Sequence, residues 1–226
     1  MILAVVGGKG GVGKSTVAYN LGAELDAVVV DADLAMADLP TDRGPDLHDV
    51  LAGRADAVEA VSEGGPVAVL PCGRSLAGAR ACEPTALVAA VEAVRDEYGR
   101  VVVDCPAGMC GDVGLGLLVA EACVLVTQPV PSALGDALRA RALARELDAG
   151  LAAIVLNRAS EASPTELVAR ELGGPVGTVP ESAAVADAQA AGVPVAVHRP
   201  DSPAAAAFAG LAETVERACR SRGRAV

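Results

Sequence analysis

The chain has 226 residues, 52% of them hydrophobic, enough for one large domain to bury a substantial core. Its formal net charge of −11 argues against a general grip on nucleic acid, which needs a basic surface, and no stretch reaches the uninterrupted apolar length of a membrane span. Six cysteines in a chain this long read as cytosolic thiols rather than a disulfide framework. Met1 is followed at once by an apolar strand, so the sequence leaves no room for a signal peptide and predicts a soluble cytoplasmic protein. Ala and Val carry most of the hydrophobic content and the only aromatics are Tyr19, Tyr98 and Phe208, so the core must be built from small aliphatic side chains.

The first strand, Ile2 to Val6, runs into Gly8-Lys9-Gly10-Gly11-Val12-Gly13-Lys14-Ser15-Thr16 and then into helical-looking Val17 to Leu25. Strand, glycine loop and helix are the context of a phosphate-binding loop. Gly8, Gly13, Lys14 and Ser15 fit the Walker A spacing, in which glycines let backbone N–H groups curl around phosphates at a helix N-terminus. Lys14 would reach the β- and γ-phosphates, and the Ser15 hydroxyl would face Mg²⁺, with Thr16 in the first helical turn. Lys9 and Lys14 are the only lysines, and the other sixteen basic residues are arginine. A compact ammonium has thus been kept where phosphate is expected.

Further on, Ala27 to Val30 reads as a buried parallel strand ending in Asp31-Ala32-Asp33, two acids where ligand chemistry gathers. Asp31 and Asp33, two residues apart, share one strand face. Asp46 to Ala52 and Ala55 to Val61 read as short helices, Val67 to Pro71 as a short strand and Cys72 to Cys82 as a loop. Pro84 to Tyr98 has helical spacing. Arg100 to Val103 delivers Asp104 to another strand end, followed by Cys105-Pro106-Ala107-Gly108. Ala122 to Gln128 is a strand, and Ser132 to Leu147 a helix with Arg139, Arg141 and Arg145. Leu151 to Leu156 is a strand ending in Asn157-Arg158, and Pro175 to Val179 the last strand, before Pro180-Glu181. Helices over Ser182 to Ala191 and Pro203 to Cys219 close the chain, with 220–226 as a flexible tail. This alternation predicts a single α/β domain over 1–226, a mostly parallel twisted sheet with helices on both faces and the loop at a switch point.

The second lysine makes Lys9 to Ser15 a deviant Walker A loop, which resembles the MinD/ParA family of P-loop ATPases over nearly the whole chain. The resemblance implies ATP and Mg²⁺ as ligands. It implies a dimer closed by ATP, in which Lys9 crosses to the nucleotide of the other subunit. It further implies that Asp33 lies near the attacking water, that Asp31 and Asp104 lie near Mg²⁺ or its waters, and that the Gly108 amide follows the γ-phosphate. Asn157 would read the adenine edge, with Arg158 beside it and the backbone of Pro180 and Glu181 on the other side of the base. One departure is Leu34 to Leu39, where the MinD branch carries a small glycine-containing turn.

The implied activity is slow, partner-stimulated ATP hydrolysis, coupled to binding of an unidentified activator or adaptor in positioning a cellular structure. Peripheral membrane attachment would not be autonomous, because the basic C-terminus lacks large apolar residues. Two alternatives stand beside it. Cys110, six residues after Asp104, resembles a cluster ligand of the nitrogenase iron protein, with Cys72 or Cys82 as its partner, although its spacing is one residue short. The helix of Arg139, Arg141 and Arg145 and the C-terminal arginines are the only candidates for a DNA-partitioning surface, against which the net charge speaks.

Overall fold

The computed structural model describes residues 1–34, 39, 44–73, 75–108 and 111–222. Seven strands form one parallel sheet: β1 (Ile2–Val6), β2 (Val28–Asp31), β3 (Val69–Leu70), β4 (Val101–Asp104), β5 (Ala122–Thr127), β6 (Gly150–Ala159) and β7 (Val176–Pro180). Their spatial order is β3-β2-β4-β1-β5-β6-β7. The strands β2, β3 and β4 lie on one side of β1 and β5, β6 and β7 on the other, so the chain switches sides about β1 and a crevice opens at the carboxyl ends of the strands there.

The central strands are buried along their whole length, because a parallel sheet is covered on both faces. Successive side chains point to opposite faces. Leu3 and Val5 pack with helix α1 (Lys14–Leu25) and with Phe208, Leu211 and Val215 of the C-terminal helix, whereas Ile2, Ala4 and Val6 pack with Leu87, Val91, Leu117 and Ala137 on the opposite face. Small aliphatics fill both layers, as the composition requires, and Phe208 is the one aromatic that is fully enclosed.

The helices depart from the sequence reading in several places. Leu47–Leu51 forms α2, but 55–61 is a series of turns. There the Asp56 carboxylate accepts from the N–H groups of Val58 and Glu59, which favours a turn over a continuing helix. The loop expected over Cys72 to Cys82 contains α3 (Leu76–Ala81), started by the Ser75 hydroxyl accepting from Gly78 N–H. A 3₁₀ turn leads into α4 (Leu87–Tyr98), and α5 (Gly111–Val119) follows β4 where no helix was expected. Glycines at 111, 114 and 116 hide its period, and Gly116 leaves the room that the Cys105 thiol occupies. The long helix α6 is Pro131–Glu146, α7 is Thr165–Leu172 and α8 is Ala183–Ala190. A four-residue α9 (Val195–His198) precedes α10 (Pro203–Arg222). The last of these extends into the expected tail, where Arg222 donates to the Glu121 carbonyl at 3.0 Å, so only 223–226, outside the described residues, remain of that expectation.

Candidate phosphate-binding site

The loop after β1 meets α1 at Gly13, whose φ of 99° only glycine adopts readily. A Cβ there would also collide with the Asn157 amide. Among the described contacts no side chain caps α1, and its first turn holds no acidic residue. Its leading N–H groups and the positive end of its dipole are therefore directed at the crevice, the arrangement that receives an anion. Lys14 opens the helix and is only 8% exposed, a cation carried into the crevice with its stem packed. Ser15 and Thr16 are half-buried beside it, and the Thr16 hydroxyl donates to Gln189 Oε1 at 3.3 Å. Gly10 and Gly11 form the exposed crest, with Val12 buried beneath.

Several side chains from other strands and helices fix the loop. Asn157 donates its amide to the Val12 carbonyl at 2.8 Å, and Gln128, one residue past β5, donates to the Gly11 carbonyl at 3.1 Å. Asp136 of α6 packs so closely against Gly8 that no Cβ would fit there. Lys9 stands at the outer rim and donates to the exposed Ser132 hydroxyl of α6 at 3.4 Å. The sequence reading missed Gln128 and Asp136. A strand-end glutamine and a helical aspartate carry no local signal, and only the adjacency of β5 to β1 brings them to the loop.

Asp31 and Asp104 end neighbouring strands β2 and β4 as partners in register, and both are almost fully buried. Two carboxylates side by side away from water are stable as anions only with cations near them. Carboxylate oxygens at strand ends are the donor type that a hard divalent ion takes. Asp33, half-buried, lies just beyond, its N–H donating to Asp31 Oδ1 at 3.3 Å. Gly108 follows Asp104 by four residues, half-buried at φ 88°.

The far side of the loop is formed by the ends of β6 and β7. The strand β6 runs three residues past the expected Leu156, and its register with β7 shifts between Asn157 and Ala159. Arg158 takes up the bulge in the left-handed region at φ 53° and is exposed, while Ala159 pairs with Pro180. Asn157 therefore points inward at the loop, and its amide N–H is engaged by Val12 instead of being directed away at the strand end. A cavity of about 400 Å³ opens between α1 and α8, lined by Ser15, Thr16, Tyr19, Leu39, Val185 and Gln189, a size within the range of small-molecule pockets.

Of the cysteines singled out, Cys110 lies outside the described residues. Cys72 is buried below Asp33, and Cys82 donates to the Gly78 carbonyl at 3.3 Å. Among the described residues no group of three His, Cys, Asp or Glu side chains is arranged to hold a metal. Burial, and then the carboxylates of Asp31, Asp33 and Asp46, push the Cys72 thiol pKa up, so the group stays protonated. On α6, Arg139 pairs with Asp136 and Arg141 donates to the Leu172 carbonyl, so two of the three arginines are engaged within the chain.

Residues 3–195 match the CobQ/CobB/MinD/ParA nucleotide binding domain. An uncharacterized ATP-binding protein of Methanocaldococcus jannaschii is 37% identical, over 93% of this chain and 85% of that protein. Among solved structures, the cell division ATPase MinD of Pyrococcus furiosus superposes with a TM-score of 0.89 at 32% identity, covering 96% of this chain and 98% of that one. The septum site-determining protein MinD of Pyrococcus horikoshii, solved with Mg-ADP, gives 0.88 at 31% identity, covering 95% of each chain.

Proposed function

The chain belongs to the CobQ/CobB/MinD/ParA family of nucleotide-binding domains, and from that premise we propose that it is a cytoplasmic MinD-like ATPase whose ATP-dependent dimerisation switches its binding to a protein partner. The observation that carries this reading is the conjunction, in one strand-end crevice, of an uncapped helix N-terminus, a buried lysine and two buried carboxylates in register. The likeness to a MinD solved with Mg-ADP supports the choice of ligand.

In this reading the loop N–H groups and Lys14 hold the phosphates. Ser15, Asp31 and Asp104 would hold Mg²⁺ directly or through its waters, and when bound the ion neutralises charge on the β- and γ-phosphates. Asp33 orients the attacking water and accepts its proton. The Gly108 N–H follows the γ-phosphate, so its loop registers hydrolysis. Asn157, Arg158 and Pro180 flank the base. Lys9, half-buried at the rim of the loop, leaves Ser132 and reaches the phosphates of the facing subunit, which makes dimerisation conditional on ATP. Hydrolysis is slow without a partner, as in a site where positioning and charge stabilisation are completed only when an activator binds.

The C-terminal arginines do not suit a membrane grip by themselves, since Arg217 pairs with Glu213 and Arg220 with Glu216 on their own helix. The test is Asp33→Ala. Hydrolysis should fall by roughly 10²–10⁴-fold while Mg-ATP binding, followed by a fluorescent nucleotide, persists. A variant that hydrolyses at the wild-type rate would remove Asp33 from the mechanism.

A further inference from the structure

Two side chains with no role so far hold the backbone of the Asp33 segment from below. The Cys72 thiol donates to the Asp33 carbonyl at 3.1 Å, and His48 Nε2 lies 3.1 Å from the next carbonyl, that of Leu34. A carbonyl only accepts, so Nε2 carries the proton in this contact. The two side chains also touch, Sγ to Nε2 at 3.6 Å. Both are buried, Cys72 to 1% and His48 to 3% exposure.

The seat of the ring is built for it. A Cβ at Gly73 would overlap the imidazole, and one at Gly78 would lie 2.9 Å from Nδ1. The helix that carries His48 is anchored in turn. Asp46 and Asp49 form a reciprocal capping box, Leu47 N–H donates to the Pro71 carbonyl at 2.8 Å, and the Cys82 thiol lies 3.7 Å from the His48 carbonyl. Nδ1 has no hydrogen-bond partner among the described residues. A leucine would fill such a space with no polar group to desolvate, so the imidazole's cost is offset only by the bond its other nitrogen makes.

We propose that His48 and Cys72 are positioning residues for hydrolysis, gripping the consecutive carbonyls of Asp33 and Leu34 so that the Asp33 carboxylate stands at a fixed height and direction over the crevice. The inference rests on the assignment of Asp33 to the attacking water. Neither side chain touches the nucleotide. Both act through the backbone of residues 33 and 34, where a displacement of about 1 Å is enough to cost up to about a hundredfold in rate.

The test compares His48→Leu, His48→Gln, Cys72→Val and Cys72→Ser with Asp33→Ala, in the full chain. Hydrogen exchange of the peptide carrying Asp33 and Leu34 reports the grip, and steady-state hydrolysis with nucleotide titration reports its use. His48→Leu and Cys72→Val should speed exchange and lower kcat by roughly ten- to a hundredfold, with the affinity for nucleotide unchanged. Glutamine and serine, which keep a donor at each site, should restore both readouts. If His48→Leu fails to fold, Cys72→Val carries the same comparison. Unchanged exchange overturns the grip itself. Faster exchange with wild-type kcat overturns its role in hydrolysis, and the Asp33→Ala rate then separates the causes. A wild-type rate there locates the error in the Asp33 assignment, and a low rate locates it in the positioning.

Discussion

At the amino ends of the strands, Arg100 and Arg220 share the Glu216 carboxylate at 3.2 and 3.0 Å, and the chain's N-terminus lies 3.7 Å from Glu121. At the carboxyl ends, Asp31 and Asp104 are buried side by side in register, and Lys14 is buried at the head of α1. The amino end pairs opposite charges at the solvent-exposed surface, where each pair contributes little. The carboxyl end carries two carboxylates and a lysine out of water, where desolvation makes each charge costly. Ionisable groups buried together in a crevice are a mark of function, and exposed complementary pairs are not.

Substitutions at the two ends should therefore separate cleanly. Lys14→Ala has the largest expected effect, because loop N–H groups alone do not offset a triphosphate. Nucleotide binding or hydrolysis should be abolished with the circular dichroism spectrum unchanged, and retained activity would break the contrast. Asp104→Ala comes next. It should weaken Mg²⁺-dependent nucleotide binding, read by titrating the metal, whereas an unchanged requirement would count against a metal-facing role. Asn157→Ala leaves the buried Val12 carbonyl without its donor, a loss of about 1–3 kcal/mol. If that loss falls on the loop, nucleotide affinity should drop roughly tenfold and the melting temperature fall slightly. The smallest effect belongs to the amino end, where Arg100→Ala should leave turnover and affinity as they are. A changed turnover there would mean that the two ends are coupled.

The parts of this division that are local in sequence were legible from it. A Walker A loop is contiguous, and its glycines, Lys14 and Ser15 announce themselves by spacing. Asp31 and Asp104 were found because short runs of valine ended in them, and the sheet then brought those ends together. The chain gave no sign of the contacts that make the loop rigid. Gln128, Asp136 and Asn157 reach it from β5, α6 and β6, across separations that only the strand order closes. Asn157 is expected at the base from its strand-end position, and its amide N–H also holds the Val12 carbonyl, a contact with no local signature. The helix α5 escaped notice because its glycines erase the apolar period, and 55–61 was mistaken for a helix because turns held by Asp56 share its composition. His48 and Cys72 belong with these long-range cases, since neither residue type at those positions signals a grip on residues 33 and 34.

The central claim is that Lys9 couples ATP to dimerisation while Lys14 serves the nucleotide within its own chain. The half-buried position of Lys9 at the rim of the loop and its described side-chain contact with the exposed Ser132 leave it able to cross an interface. Size-exclusion chromatography with light scattering, in Mg-ATP and Mg-ADP, measures this directly on wild type, Lys9→Ala and Asp33→Ala. Wild type should dimerise in ATP and return to monomer in ADP, and Asp33→Ala should remain a dimer in ATP. Lys9→Ala should stay monomeric in both while still binding nucleotide. A wild type that is monomeric in ATP, or a Lys9→Ala that dimerises as well as Asp33→Ala, would contradict the account.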